Sequence, residues 1–455
     1  MKGNGIVKRK CAGCGLEWER SADPIVPERA KFWRRRILCR MCQGERDQRA
    51  HTKLIISSIF LTLVGVALIA QPPLQLFGWA LLNIVLVDYM VIAAAIVHES
   101  GHALAAVLVR ARVFLVQVGS GKPLVTLRLL GVPIKLNRYP LAGGLVFVGH
   151  TTDRNVIGRH AVIVAGGPVV NLVLAGLLFW LGDISDWRSA LVALTTGVAW
   201  IPIAFASNLG IFLVNVIPRT FNGLLGNMSS DGKLLLQLIR PTPPLVESIL
   251  SSQYVVGSML AFQDGEYELA ERWSREGLVC FPSNPMLHVT LTAVLLETGR
   301  YELARTHCLR LLQESQEKGQ EADGTRAMLA NNLAWGDVML GNRELLQEAD
   351  EYSKEAFALA PDVPAVQGTR GVVLIERGEY ESGMALIRKA LAVAEKRRQI
   401  ACDMAFLALG EWHRGNVEEA NKTLQEVRGL DPNCPVLPRI ARVIAGTVSP
   451  TTTSL

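Results

Sequence analysis

The chain has 455 residues, half of them apolar, and a formal net charge of +6. The apolar share excludes an all-soluble protein, and the length suggests two to four domains. Eight cysteines at spacings unlike a secreted framework exclude a disulfide-stapled scaffold.

The N-terminal 53 residues hold 14 Lys/Arg against 6 Asp/Glu, a local surplus of +8. Beside a membrane span such a surplus reports topology, so no nucleic-acid partner is expected, although anionic lipid is a further possible contact. The first apolar run begins only at Leu54, so no signal peptide is expected. Cys11 and Cys14 (CAGCG) and Cys39 and Cys42 (CRMCQG) form two C-x-x-C pairs separated by 24 residues. The arrangement resembles a zinc ribbon, four thiolates around one structural Zn²⁺. A piece of roughly 50 residues has little core, so a metal staple is physically reasonable. Four cysteines leave no open position, which points to a structural or partner-binding role. Cys280, Cys308, Cys402 and Cys434 follow no motif and read as small buried apolar residues.

Four apolar segments follow, at 54–70, 77–109, 156–181 and 191–217. Each is long enough to cross a bilayer. The connection 110–160 carries eight Lys/Arg against one acid, Asp153, while the other two carry a single Arg between them. By the positive-inside rule, the N-terminus, this loop and the C-terminal half lie in the cytosol. Within the loop, VFLVQV, PLVTLRLL, VPIKLN and GGLVFVG are short β-branched runs separated by turn residues. They predict a small antiparallel sheet at the membrane surface, over 113–149.

The second apolar segment contains HESGH. On a helix, His98 and His102 stand one above the other on one face. Two imidazoles at that spacing can hold one Zn²⁺, with Glu99 beside it as a base for water. His98 lies about 30 Å along the helix from Phe77, near the cytosolic edge of the hydrocarbon. Ionisable groups in a span are costly and usually functional. A catalytic zinc takes three protein ligands and keeps a fourth position open. Asp88 is about 15 Å up the same helix, too far to share a metal. Asp183 and Asp186 fall on the opposite side of the membrane. His150, His160 and Asp231 are on the correct side and stay open as third ligands.

HESGH, AGGPVVN (165–171) and NVIP…SDG (215–232), in this order, resemble the site-2 protease family of intramembrane zinc metalloproteases. The resemblance covers roughly residues 54–240. It implies that His98, His102 and Asp231 hold zinc, that Glu99 is general base and acid, and that Asn215 helps hold an unwound substrate strand. It gives Asn171, with Gly167 and Pro168, a structural role in close packing of spans. In the family Asn-x-x-Pro usually precedes Asp-Gly by a few residues, whereas here twelve separate Pro218 from Asp231.

After PTPP (241–244) the chain becomes soluble and repetitive. Gly265 and Gly299 are 34 apart, and Gly341, Gly378 and Gly415 are spaced by 37. Each lies between amphipathic runs, an arrangement that resembles a tetratricopeptide array of about five units. Such arrays form concave surfaces for peptides or partner proteins. The expected fold class is mainly α: a multi-pass helical membrane domain with a small β-sheet insertion, then an α-solenoid. The expected domains are 1–50 (ribbon), 51–240 (membrane protease), 250–440 (repeats) and 446–455 (disordered tail). The implied substrate is a transmembrane protein, cleaved under gating by the repeats. The alternatives are a catalytically silent scaffold and a metal transporter. The latter needs polar residues on several facing spans, and beyond Asp88 these spans supply few.

Overall fold

The computed structural model describes residues 6–10, 17–21, 40–182, 187–223, 226–318, 323–392, 394 and 397–446. Two compact units emerge: Arg46–Asn284, and Met1–Glu45 together with Pro285–Leu455. At the N-terminus β1 (Ile6–Lys10) pairs antiparallel with β2 (Glu17–Ser21). Cys11, Cys14 and Cys39 and the side chain of Cys42 lie outside the described residues, as does the tail after 446.

The first two apolar segments form α1 (Arg40–Ile69) and α2 (Gln75–Leu108), joined through a short 3₁₀ turn at Pro72–Leu74. They approach closely where Gly65 and Gly78 face each other, and a Cβ on either would press on the other's carbonyl. This is the small-residue packing that brings helices together in lipid. The third segment is α3 (Val156–Leu181). Large apolar side chains such as Phe60, Leu63 and Trp180 stay exposed on these helices, as a lipid-facing surface requires.

The fourth apolar segment is not one helix. It divides into α4 (Trp187–Thr196) and α5 (Trp200–Val216). Pro202 lacks an N–H and its ring crowds the Val198 carbonyl four residues back, which favours a break in that turn. The broken turn is held by Asn83 of α2, which donates to the carbonyls of Leu194 and Gly197 and accepts from the N–H of Ala199. A further helix, α7 (Pro243–Gln263), is long and apolar enough to span, beside α1, α2 and α3.

Between α2 and α3 run β3 (Arg112–Leu129) and β4 (Val132–Gly149). Each bends so that both halves pair, Val118 facing both Leu136 and Gly144, and Val125 facing Leu136. The result is a four-stranded sheet in the order 123–129, 132–137, 112–118, 144–149, where the β-branched runs predict one; its two outer pairings are antiparallel as expected, but the central one, Val116–Val118 against Ile134–Leu136, is parallel. Its two edges are therefore the outer half of β3 and the last segment of β4.

After α5 come a hairpin, β5 (Thr220–Gly223) and β6 (Gly226–Ser229), and α6 (Asp231–Ile239). Helix α7 then pairs with α8 (Tyr267–Cys280) inside the membrane unit. The second unit contains α9 (Pro285–Glu297) with α10 (Tyr301–Lys318), α11 (Asp323–Leu340) with α12 (Arg343–Leu359), α13 (Pro364–Glu376) with α14 (Tyr380–Leu391), and α15 (Arg397–His413) with α16 (Val417–Leu430). A final helix, α17 (Leu437–Ile444), ends it. Gly265, Gly299, Gly341, Gly378 and Gly415 occupy the turns within the five helix pairs from α7–α8 to α15–α16, all with positive φ, a conformation costly for a side chain. Phe406, Ile375, Met384 and Ile387 are among the unit's largest fully buried side chains. Cys308, Cys402 and Cys434 are buried as expected, whereas Cys280 is exposed.

Candidate metal centre

The HESGH residues lie inside α2, where the helical repeat puts His98 and His102 on one face with ring centroids 4.7 Å apart. Helix α3 can come against this face because Gly101 and Gly166 meet back to back, each occupying the space of the other's missing Cβ. Gly167 faces both imidazoles, and a Cβ there would press on His102 Nε2 and His98 Cε1. The neighbouring Gly-Gly therefore has two separate uses, one for helix contact and one for ring clearance.

Each histidine has one nitrogen committed. His98 Nδ1 is 2.7 Å from Asn171 Oδ1, and His102 Nδ1 is 2.8 Å from the Ile163 carbonyl. Both partners only accept, so both Nδ1 atoms carry the proton and both Nε2 atoms present lone pairs. The two Nε2 atoms are 3.2 Å apart. Asp231 Oδ2 completes the triangle, 3.0 Å from His98 Nε2 and 3.5 Å from His102 Nε2. These separations match the ligand–ligand edge of about 3.3 Å in a tetrahedral zinc site with bonds near 2.0 Å. The three residues form the one group with metal-ligand spacing among the described residues.

Asp231 arrives by a route the motif spacing obscured. The twelve residues after Pro218 are largely the β5–β6 hairpin, with Thr220 opposite Ser229. Its two ends are tied by Ser230, whose N–H donates to the Arg219 carbonyl and whose Oγ donates to Ile217 and accepts from Arg219 N–H. In space, Asp231 follows Pro218 as closely as in a short connection. Ser230 also caps α6, placing Asp231 in its first turn. Gly232 is required beside it, because a Cβ would overlap the Val216 carbonyl.

Glu99 is buried at the same level of α2. Gly144 of β4 lies directly over it, and a Cβ there would overlap the Glu99 carboxyl. An edge segment of the surface sheet thus runs across the centre. His150 and His160 bond to each other, Nε2 to Nδ1 at 3.1 Å, and stand outside the metal-spaced group. Burial, aided by Arg159, pushes His150 below its usual range. Asn215 lies on the last turn of α5 with its amide donating to the Ile211 carbonyl.

Asn171 is more than a packing residue, since it binds His98 directly. Its amide also donates to the Ala94 carbonyl and to Asn208 Oδ1. The expectation that the spans carry few polar residues is corrected as well: Asn83, Asn171, Ser207 and Asn208 are all buried within them. Asn208 and Gly144 had escaped the motif reading. An amide inside the apolar run of α5 was the available signal for the first; nothing in the sequence marked Gly144.

The family model described as Peptidase family M50 matches residues 88–421. No curated protein matches the chain significantly. Among solved structures, a thermophilic TPR protein of Thermus thermophilus is 20% identical, with 43% of this chain and 99% of that one covered at a TM-score of 0.32. MamA from Desulfovibrio magneticus is 16% identical, with 40% and 96% covered at 0.28.

Proposed function

Because the chain belongs to peptidase family M50, the site-2 type of zinc metallopeptidase, we propose that it hydrolyses peptide bonds in or near transmembrane segments of membrane proteins. The observation that carries this reading is the convergence of His98 Nε2, His102 Nε2 and Asp231 Oδ2 beside a buried Glu99. The first three would hold the zinc, and Glu99 would be the catalytic acid and base. Zinc bound there would polarise a peptide carbonyl and acidify a water. Glu99 accepts the proton of the attacking water and returns it to the leaving amide nitrogen. Asn171 and the Ile163 carbonyl keep both imidazoles turned for binding.

A helical substrate must first unwind, since its carbonyls are bonded within the helix. The last segment of β4 is a sheet edge that passes over Glu99 at Gly144, so a strand added there would run beside the base. Asn215, at the end of α5, would hold the same strand. The charge distribution supports a cytosolic location for both termini and the surface sheet. The repeats would then recruit or gate protein partners there, and the four N-terminal cysteines would hold a structural zinc.

The test compares membrane proteomes of cells carrying wild type or Glu99→Ala at equal abundance. A short transmembrane fragment accumulating only with Glu99→Ala is the expected result. No change, together with a phenotype from deleting the repeats, would favour a scaffold.

A further inference from the structure

Asn171 of α3 and Asn208 of α5 form a buried amide pair behind His98. We propose that Asn208 is a positioning residue for the metal centre, fixing through Asn171 the orientation and tautomer of His98. The inference rests on the reading of His98 as a zinc ligand.

The argument is one of hydrogen-bond direction. Asn171 is fully buried and Asn208 nearly so. Asn171 Nδ2 donates to the Ala94 carbonyl at 3.0 Å and to Asn208 Oδ1 at 2.8 Å, which uses both amide protons. Its Oδ1 is left facing His98 Nδ1 at 2.7 Å. Asn208 is itself oriented by donating Nδ2 to the Ala204 carbonyl at 2.9 Å. The two backbone carbonyls cannot reverse their polarity, so they fix the sense of the whole chain of bonds. Turning Asn171 over would set its oxygen against two acceptors; turning Asn208 over would do the same at Ala204. With both amides fixed, His98 must carry its proton on Nδ1, and its Nε2 lone pair points to the triangle with His102 and Asp231.

Burying two amides in a spanning region is costly unless every group is satisfied, and a hydrophobic pair would pack there without that cost. The pair is therefore better explained by what it does to His98. Asn208 lies outside HESGH, AGGPVVN and NVIP…SDG, the three motifs of the resemblance.

The experiment measures zinc affinity of the full-length protein in detergent by competition with a chromophoric chelator. Zinc is counted above that held by a reference chain carrying His98→Ala and His102→Ala, which removes any contribution from the N-terminal cysteines. Asn171→Leu should weaken binding about 10- to 100-fold, the range for losing an outer-shell partner of a metal ligand. Asn208→Ala should weaken it about tenfold, at the lower end of that range. The double variant should bind no worse than Asn171→Leu alone, because Asn208 acts only through Asn171. Asn208→Asp should recover most of the affinity, since a neutral carboxylic acid can accept from Asn171 and donate to Ala204. If Asn208→Ala does not fold, the near-isosteric Asn208→Leu carries the same comparison. Wild-type affinity in the Asn208 variants, or losses that add in the double variant, would overturn the proposal. The readout is zinc and not turnover, so a chain that shows this coupling yet cleaves nothing would contradict the proteolytic reading alone.

Discussion

At the scale of single residues, the centre is a set of committed hydrogen bonds that leave chosen atoms available. His98 and His102 each spend Nδ1 on an acceptor, so Nε2 faces the cluster. Glu99 contributes no atom to that cluster, which separates metal retention from catalysis. Glu99→Gln should therefore keep the zinc of this site while lowering cleavage by about 10²- to 10⁴-fold, the usual worth of a general base. Zinc content and turnover measured on the same preparation check this, and joint loss of both would contradict it. HESGH was legible because the i, i+4 spacing alone puts two rings on one face. The partnership of Asn171 with His98 was not, because α3 and α2 are far apart in sequence and only packing shows which polar groups meet.

At the scale of elements, local geometry resolves what spacing made doubtful. The insertion between Pro218 and Asp231 is a hairpin whose ends are adjacent, so it adds length without adding distance. Replacing Phe221–Met228 with a two-residue turn should leave zinc affinity within about threefold of wild type, since a shift under 1 kcal/mol is the ordinary effect of surface changes. Loss of the metal in that variant would show that the hairpin does more than connect. The sheet makes a second prediction. Proline removes a backbone donor, so proline at Leu145 or Val146, one of which turns its N–H to the open edge, should impair cleavage without removing zinc. Unchanged cleavage in both variants would reject strand capture. The surface sheet was readable from its β-branched runs and turns. The break between α4 and α5 was not read, although Gly197 and Pro202 signalled it; apolar composition across 191–217 hid a helix boundary that Asn83 stabilises.

At the scale of the whole molecule, two units with different chemistry share one chain. The membrane unit hides polar groups in a lipid-facing shell, and the repeat unit has a conventional apolar core. The repeats were legible because one glycine per unit must adopt positive φ, and its recurrence marks the turns. The buried carboxyl of Asp403 in α15 was not, since no sequence pattern separates a buried Asp from an exposed one. Burial, with Cys434 beside it, pushes that carboxyl up to about 7, and Oδ2 has no partner. A folded-state value raised above the usual carboxylate range means that the folded chain keeps its proton to higher pH than the unfolded one. The contribution to stability is therefore full at acidic pH and is lost as pH rises from about 4 through 7. Asp403→Asn should raise the melting temperature of the repeat unit by a few degrees at pH 8 and have little effect at pH 5. Melts of the full-length protein in detergent at the two pH values check it, and a lower melting temperature at pH 8 would contradict it.

The function proposed for this chain is peptide-bond cleavage with a zinc held by His98, His102 and Asp231. The most direct measurement takes the fragment that accumulates with Glu99→Ala, reconstitutes it with purified wild-type protein, and maps the new termini by mass spectrometry. The expected result is cleavage within or beside the apolar segment, abolished by a zinc chelator, restored by added zinc, and absent with Glu99→Ala or Asp231→Ala. Cleavage that survives chelation and both substitutions would contradict it.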